Sequence, residues 1–183
     1  MKILILADMD DFHWSQGAGK ADVLLSCGDV SDQVILEAAQ EYDCKHLFAV
    51  KGNHDGNTPF PEPIVDLHLK VRKVENLLFG GMNGSWRYKP RGPFLYEQGE
   101  AEALVGTFPY VDVFLSHNSP RGLHDREDGI HHGFAALAAY IDRTRPKYMI
   151  HGHQHVEKES LCGDTMVVGV YGHRLLEIEE YAN

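Results

Sequence analysis

The stretch His46-Leu47-Phe48-Ala49-Val50-Lys51-Gly52-Asn53-His54-Asp55 decides how this chain is read. Its first five residues form a short apolar run, which reads as a buried strand. Gly52 then allows a sharp turn and a close approach of backbone to whatever is bound there. An amide, an imidazole and a carboxylate follow in a row. The side-chain oxygen of Asn53 is a hard ligand for a divalent metal. His54 followed by Asp55 has the makings of a proton donor with a carboxylate to orient it. The tetrapeptide alone reads equally well as a polar turn; the rest of the chain separates the two readings.

Upstream, Lys2 to Ala7 is continuously aliphatic, as in a strand buried on both faces, and it ends in Asp8-Met9-Asp10-Asp11. Open α/β sheets build their sites at the C-terminal ends of such strands. Ala21 to Cys27 is a second strand, ending in Gly28-Asp29-Val30-Ser31-Asp32, and Ser31 or Asp32 caps a helix over 33–42. Downstream, Asn57 to Pro63 is a proline-rich loop. Ile64 to Val74 alternates like one half-exposed strand, with His68 inside it. Leu77-Leu78-Phe79 is read as a strand leading into a glycine-rich loop over 80–85, which lacks the spacing and the lysine of a P-loop.

Trp86, Arg87, Tyr88, Lys89 and Arg91 follow, either as one wall of a substrate pocket or as a surface loop. A helix is expected over 97–106. The strand 111–115 runs into Ser116-His117, and Arg121 opens a charged loop that holds His124, His131 and His132. One of these histidines has the option of facing a substrate; the others read as solvated. An alanine-rich helix spans 134–143. Lys147 to Ile150 forms a strand into His151-Gly152-His153-Gln154-His155, and two closing strands, 165–170 and 174–178, are joined by a turn at 171–173.

The chain has 183 residues, which suggests a single domain over 1–183 with a real core. Its 17 Lys and Arg stand against 27 Asp and Glu, for a formal net charge of −10, and no basic run is present. Extended nucleic acid is therefore a poor partner, because its binding needs concentrated cations. Cys27, Cys44 and Cys162 are odd in number and form no CxxC, so neither a disulfide framework nor a thiolate zinc site is expected. With no signal-type start and no run long enough to span a membrane, the expected location is the cytoplasm.

Five strand ends thus carry Asp8 with Asp10, Asp29, Asn53 with His54, His117, and His153 with His155. In this order the blocks Asp8-Met9-Asp10, Gly28-Asp29-Val30-Ser31-Asp32, Gly52-Asn53-His54-Asp55, His117 and Gly152-His153-Gln154-His155 resemble those of the calcineurin-like metallophosphoesterases. That family's pattern reads D-x-H, G-D-x-x-D, G-N-H-D/E, a lone His and G-H-x-H. Four blocks match in full, and the resemblance runs from residue 3 to about residue 178.

The resemblance implies a four-layer αββα sandwich of two mixed sheets flanked by helices, with two divalent metal ions at the strand ends. Asp8, Asp10 and His155 would hold one ion, Asn53, His117 and His153 the other, and Asp29 would bridge them. A hydroxide generated between two ions about 3.5–4 Å apart would attack phosphorus. His54, supported by Asp55, would protonate or stabilise the leaving oxygen.

The first block departs from the family, with Asp10 where the pattern has His. The extra carboxylate makes the site harder and favours Mn or Fe, with Zn, Ni and Mg as alternatives. His13 is a second candidate for that position, and His151 is expected either to be structural or to support a ligand from behind. Arg87 and Arg121 are the candidate substrate-binding cations. Specificity is expected in the loops 57–63, 82–95 and 119–133. The expected activity is hydrolysis of small phosphodiesters, cyclic nucleotides included, or of phosphomonoesters. A nuclease is disfavoured by the charge. A non-catalytic scaffold that binds a protein partner is disfavoured by the intact His54 block.

Overall fold

A computed structural model describes residues 1–178. The aliphatic run at the start forms β1 (Lys2–Ala7), parallel to β2 (Val23–Ser26), which is parallel to β3 (His46–Ala49) and then to the short β4 (Val65–Asp66). The last strand, β13 (Gly172–Glu177), closes this sheet antiparallel to β1. β1 is buried on both faces because its side chains alternate between two cores. Ile3, Ile5 and Ala7 enter one core, and Leu4 and Leu6 enter the other. Each such Leu or Ile contributes about 1.5–3 kcal/mol relative to exposure.

The second sheet contains β5 (Val71–Val74), β6 (Leu77–Met82), β9 (Val113–Ser116), β10 (Tyr148–His151), β11 (Lys158–Cys162) and β12 (Thr165–Gly169), in the order β11-β12-β10-β9-β6-β5. Its four central strands are parallel and both edge strands antiparallel, so both large sheets are mixed. Phe79, Leu115, Ile150 and Val168 meet the inner face of the first sheet. A two-residue ladder joins β7 (Ser85–Trp86) to β8 (Leu95–Tyr96).

The helices cover the outer faces. α1 (Asp32–Glu41) lies on the first sheet through Val34, Ile35, Ala38 and Ala39, a one-sided helical spacing. Ser31, rather than Asp32, caps it and accepts from the Val34 N–H. α2 (Gln98–Val105) and α3 (Ala135–Thr144) lie on the second sheet. The result is the αββα sandwich expected from the sequence. Asp112 pins its second sheet at the entry to β9. This carboxylate accepts from the Leu78 N–H (2.8 Å) and the Tyr110 hydroxyl (2.9 Å), and pairs with Lys147 (3.0 Å).

Three local expectations are corrected. The alternating run 64–74 is not one strand. β4 pairs in the first sheet and β5 in the second, and the chain crosses between them through a turn with Leu69 in the left-handed region (φ 53). Alternation of residue types alone cannot reveal such a crossing. Gly80 and Gly81 lie inside β6, not in a loop; a Cβ on Gly81 would meet the Leu115 carbonyl at 2.5 Å. The closing segment holds three strands: β11 and β12 form a hairpin in the second sheet, while β13 crosses to the first, with Gly172 and His173 already in the strand. No helix among residues 1–178 is long and apolar enough to cross a membrane.

Candidate metal centre

Parallel strands of both sheets deliver their C-terminal ends to one place. Asp8 follows β1, Asp29 follows β2, Asn53 follows β3, His117 follows β9 and His153 follows β10. The sheets are tied together there: the His153 N–H donates to Asp8 Oδ2 (2.7 Å), and His117 Nδ1 lies 2.8 Å from the Cys27 carbonyl. Asp8, Asp29, His153 and His155 hold φ values of 52, 53, 63 and 50, a left-handed conformation that non-glycine residues seldom adopt. Such backbone strain gathers where the surrounding fold fixes a functional geometry.

One ligand atom each from Asp8, Asp29 and His117 lies within 4.8 Å of the others. The His117 ring is fully buried, with Nδ1 2.8 Å from the Cys27 carbonyl and Nε2 3.0 Å from Asn53 Oδ1 and 3.3 Å from Asp29 Oδ2. Donation from Nδ1 to the carbonyl leaves the Nε2 lone pair for a metal. His153 Nε2 lies 3.3 Å from the Ile130 carbonyl, and its ring centroid 4.9 Å from that of His117. His155 is half exposed, with Nε2 3.7 Å from Asp8 Oδ1. This donor set of carboxylate and amide oxygens with imidazole nitrogens suits Mn, Fe or Zn.

The charges of these groups are interdependent. Burial acts to raise Asp29, but His117 and the surrounding hydrogen bonds bring it down to about 2. Burial acts to lower His117, but Asp29 and Asp8 hold it at about 9. Asp8 is raised by burial, and Asp29 adds to that rise. Burial, with His117 adding its repulsion, depresses His153 to about 2.

Glycine allows the close approach. A Cβ on Gly152 would lie 2.7 Å from Asp8 Oδ2, and one on Gly52 only 2.1 Å from Asp29 Oδ1.

Several candidates sit differently from the sequence reading. Asp55 does not orient His54. Its Oδ2 accepts from the Gly52 N–H (2.7 Å) and the Asp29 N–H (2.9 Å), so it fixes the turn that carries Asp29. The His54 imidazole instead lies 3.5 Å from Asp29 Oδ2, and its side chain is 69% exposed. His13 is exposed and pairs with Glu37 on α1 (3.1 Å), away from Asp8. Asp10 is exposed and, like His153 and His155, lies outside the close cluster of Asp8, Asp29 and His117. Arg87 is held by Glu97 (3.3 Å) and Glu100 (2.9 Å), and Arg121 by Asp125 (3.5 Å) and Glu127 (2.8 Å). Neither guanidinium is a free cation for phosphate. Tyr88 reaches the site instead, its hydroxyl accepting from Asn53 Nδ2 (3.1 Å).

His151 is structural. It begins a chain that runs from the buried ring outward: Nδ1 contacts the Gly152 carbonyl (2.9 Å), Nε2 contacts His124 Nδ1 (2.9 Å), and the half-buried His124 contacts Ser160 Oγ through Nε2 (2.9 Å). With both imidazoles neutral the chain is fully satisfied, each ring donating once and accepting once. Burial depresses His151 to about 3. The unfolded chain therefore takes up this proton near pH 6.5 and the folded chain does not, so stability is present above pH 6.5 and lost as pH falls toward 3. His151 alone is expected to cost about 1.4 kcal/mol of stability per pH unit across that window. Urea unfolding at successive pH values should show the slope, and His151→Gln should remove one proton's worth of it. An identical slope in the variant contradicts the assignment.

The fold and this arrangement of strand ends define a class, and the family comparison agrees: residues 4–157 match the calcineurin-like phosphoesterase model. The chain belongs to the calcineurin-like phosphoesterase family. It is 28% identical over 169 residues to an uncharacterized protein of Methanocaldococcus jannaschii, covering 81% of this chain and 76% of that one. Among solved structures it is similar to the phosphopantetheinyl hydrolase of Mycobacterium tuberculosis (TM-score 0.58, 12% identity, 92% and 89% of the two chains covered). It is also similar to the zinc complex of Vps29 from Entamoeba histolytica (TM-score 0.52, 17% identity, 97% and 86% covered). At these identities the structural likenesses speak for the fold alone.

Proposed function

We propose that this chain is a metal-dependent hydrolase of small phosphoesters, with phosphodiesters, cyclic nucleotides included, as the first substrate class and phosphomonoesters as the second. The observation that carries this reading is the convergence of Asp8, Asp29 and His117 within 4.8 Å, with the exposed His54 imidazole 3.5 Å from Asp29. Asp8, Asp29, Asn53, His117, His153 and His155 would hold two divalent cations, Mn or Fe in preference, with Asp29 shared between them. When bound, the cations would polarise the phosphoryl oxygens and make water nucleophilic near neutral pH.

The remaining work falls to the chain. The Asp29 carboxylate keeps the His54 ring at the site edge, where it can give a proton to the leaving oxygen. Asp55 holds the turn between Gly52 and Asp29, so that His54 and Asn53 project from a fixed backbone. Tyr88 orients the Asn53 amide. The net charge of −10 favours a compact substrate over a long polyanion.

The test is turnover of bis-p-nitrophenyl phosphate and p-nitrophenyl phosphate by metal-stripped protein resupplied with Mn, Fe, Ni, Zn or Mg. Diester turnover that requires metal is expected, and His54→Ala should lower it by about 10²–10⁴-fold. Tight metal binding with neither ester hydrolysed would oppose the enzymatic reading and favour a binding role.

A further inference from the structure

The family pattern places an imidazole at position 10, where this chain has an exposed carboxylate. Asp10 lines a 310 Å³ cleft together with Asp8, Asp11, Gln16, Glu157 and His173. An unassigned imidazole stands over the same site from another direction. The His131 ring centroid lies 5.0 Å from that of His153 and 6.0 Å from that of His155. Its side chain is only 17% exposed.

The 128–132 loop holds this ring in a set orientation. Asp128 Oδ2 lies 2.6 Å from His131 Nδ1, while Asp128 Oδ1 accepts from the backbone N–H groups of His131 (2.8 Å) and Ile130 (3.0 Å). A carboxylate bound to one ring nitrogen fixes the tautomer and leaves the other nitrogen as a lone-pair donor, as is usual for a metal-ligating histidine. Here the free nitrogen is Nε2.

Residues of the ligand motifs also grip the loop's backbone. Three successive carbonyls are held: Ile130 O by His153 Nε2 (3.3 Å), His131 O by Gln154 Nε2 (3.0 Å) and His132 O by Asn118 Nδ2 (2.9 Å). Gln154 and Asn118 are fully buried; Gln154 lies between His153 and His155, and Asn118 follows His117. The two motifs that supply His117, His153 and His155 therefore also set where His131 stands.

We propose that His131 is a metal ligand of this centre, coordinating through Nε2 the ion held by Asp8 and His155, in place of the imidazole absent at position 10. The inference rests on the metal-dependent reading above, and it is tested without turnover. Metal-stripped wild type, Asp10→Ala, His131→Ala and Asp128→Asn would each be titrated with Mn(II), with stoichiometry and Kd measured by calorimetry.

Wild type and Asp10→Ala should both bind two ions, with affinities within about threefold of each other. His131→Ala should keep one ion and bind the second at least about 100-fold more weakly. Asp128→Asn should weaken that ion by about 10–100-fold, as loss of an orienting carboxylate does. Unchanged binding in His131→Ala, or loss of an ion in Asp10→Ala alone, overturns the assignment.

Should His131→Ala fail to fold, a crystal structure of the Mn-loaded wild type decides. Nε2 about 2.0–2.3 Å from an ion supports the proposal, whereas a separation beyond bonding distance with Asp10 coordinated overturns it. Wild type that binds no metal overturns the proposed function, and this ligand with it.

Discussion

Asp29→Asn is expected to lower metal-dependent phosphoester turnover by at least about 10³-fold, equivalent to about 4 kcal/mol of transition-state stabilisation. The residue change is small but falls at the centre of the site. Asp29 is the carboxylate that reaches both halves: its Oδ2 lies 3.3 Å from His117 Nε2 and 3.5 Å from His54 Nδ1, while its Oδ1 accepts from the His54 N–H (2.8 Å). Asparagine tolerates the left-handed backbone at this position better than other residues do, and keeps an oxygen for the His54 N–H. The substitution removes mainly the negative charge that two cations would share. Mn(II) calorimetry beside the assay separates the causes. Loss of both bound ions together with activity is the expected pattern, whereas retained binding of two ions by the inactive variant would contradict the bridging role.

Gly52→Ala is the second large effect. The added methyl would stand 2.1 Å from Asp29 Oδ1 and 2.7 Å from His117 Cε1, so both side chains must move. Overpacking of this kind costs about 1–3 kcal/mol, occasionally more. Here the displaced atoms are the proposed ligands, so metal affinity should fall along with the unfolding free energy. Gly56→Ala is the matched control, since nothing lies within 4 Å of the position its Cβ would take. Chemical denaturation should place Gly56→Ala within about 0.5 kcal/mol of wild type. Equal stability and metal affinity for Gly52→Ala and wild type would mean that the crowding at Asp29 is not a constraint.

The strand ends were legible because their chemistry is local. Runs such as 2–7, 23–27 and 46–50 are uninterrupted, and in a layered α/β fold a polar residue directly after a buried strand has few places to go. The αββα layers were an expectation that came with the family resemblance these blocks carry. What the sequence concealed was set by tertiary contacts. The 64–74 run keeps its alternation while crossing from one sheet to the other. Asp55 neighbours His54 in sequence, yet its carboxylate turns back to the N–H groups of Gly52 and Asp29, because that turn would otherwise leave buried donors unmatched. Arg87 and Arg121 were candidate substrate-binding cations, and acidic residues from 97–100 and 125–127 fold onto them. His131 carried no periodic signal in a polar loop; its position depends on carbonyl contacts from Gln154, Asn118 and His153, residues up to 23 positions away. The left-handed conformations of Asp8, Asp29, His153 and His155 were likewise invisible until the turns were seen.

The most direct test of a two-ion phosphoesterase is the initial rate of bis-p-nitrophenyl phosphate hydrolysis by metal-stripped protein, followed against stepwise addition of Mn(II). A background rate is expected without metal, with a rise that saturates near two equivalents per chain. A rate that stays at background through metal saturation, or one already maximal in the stripped protein, would contradict it.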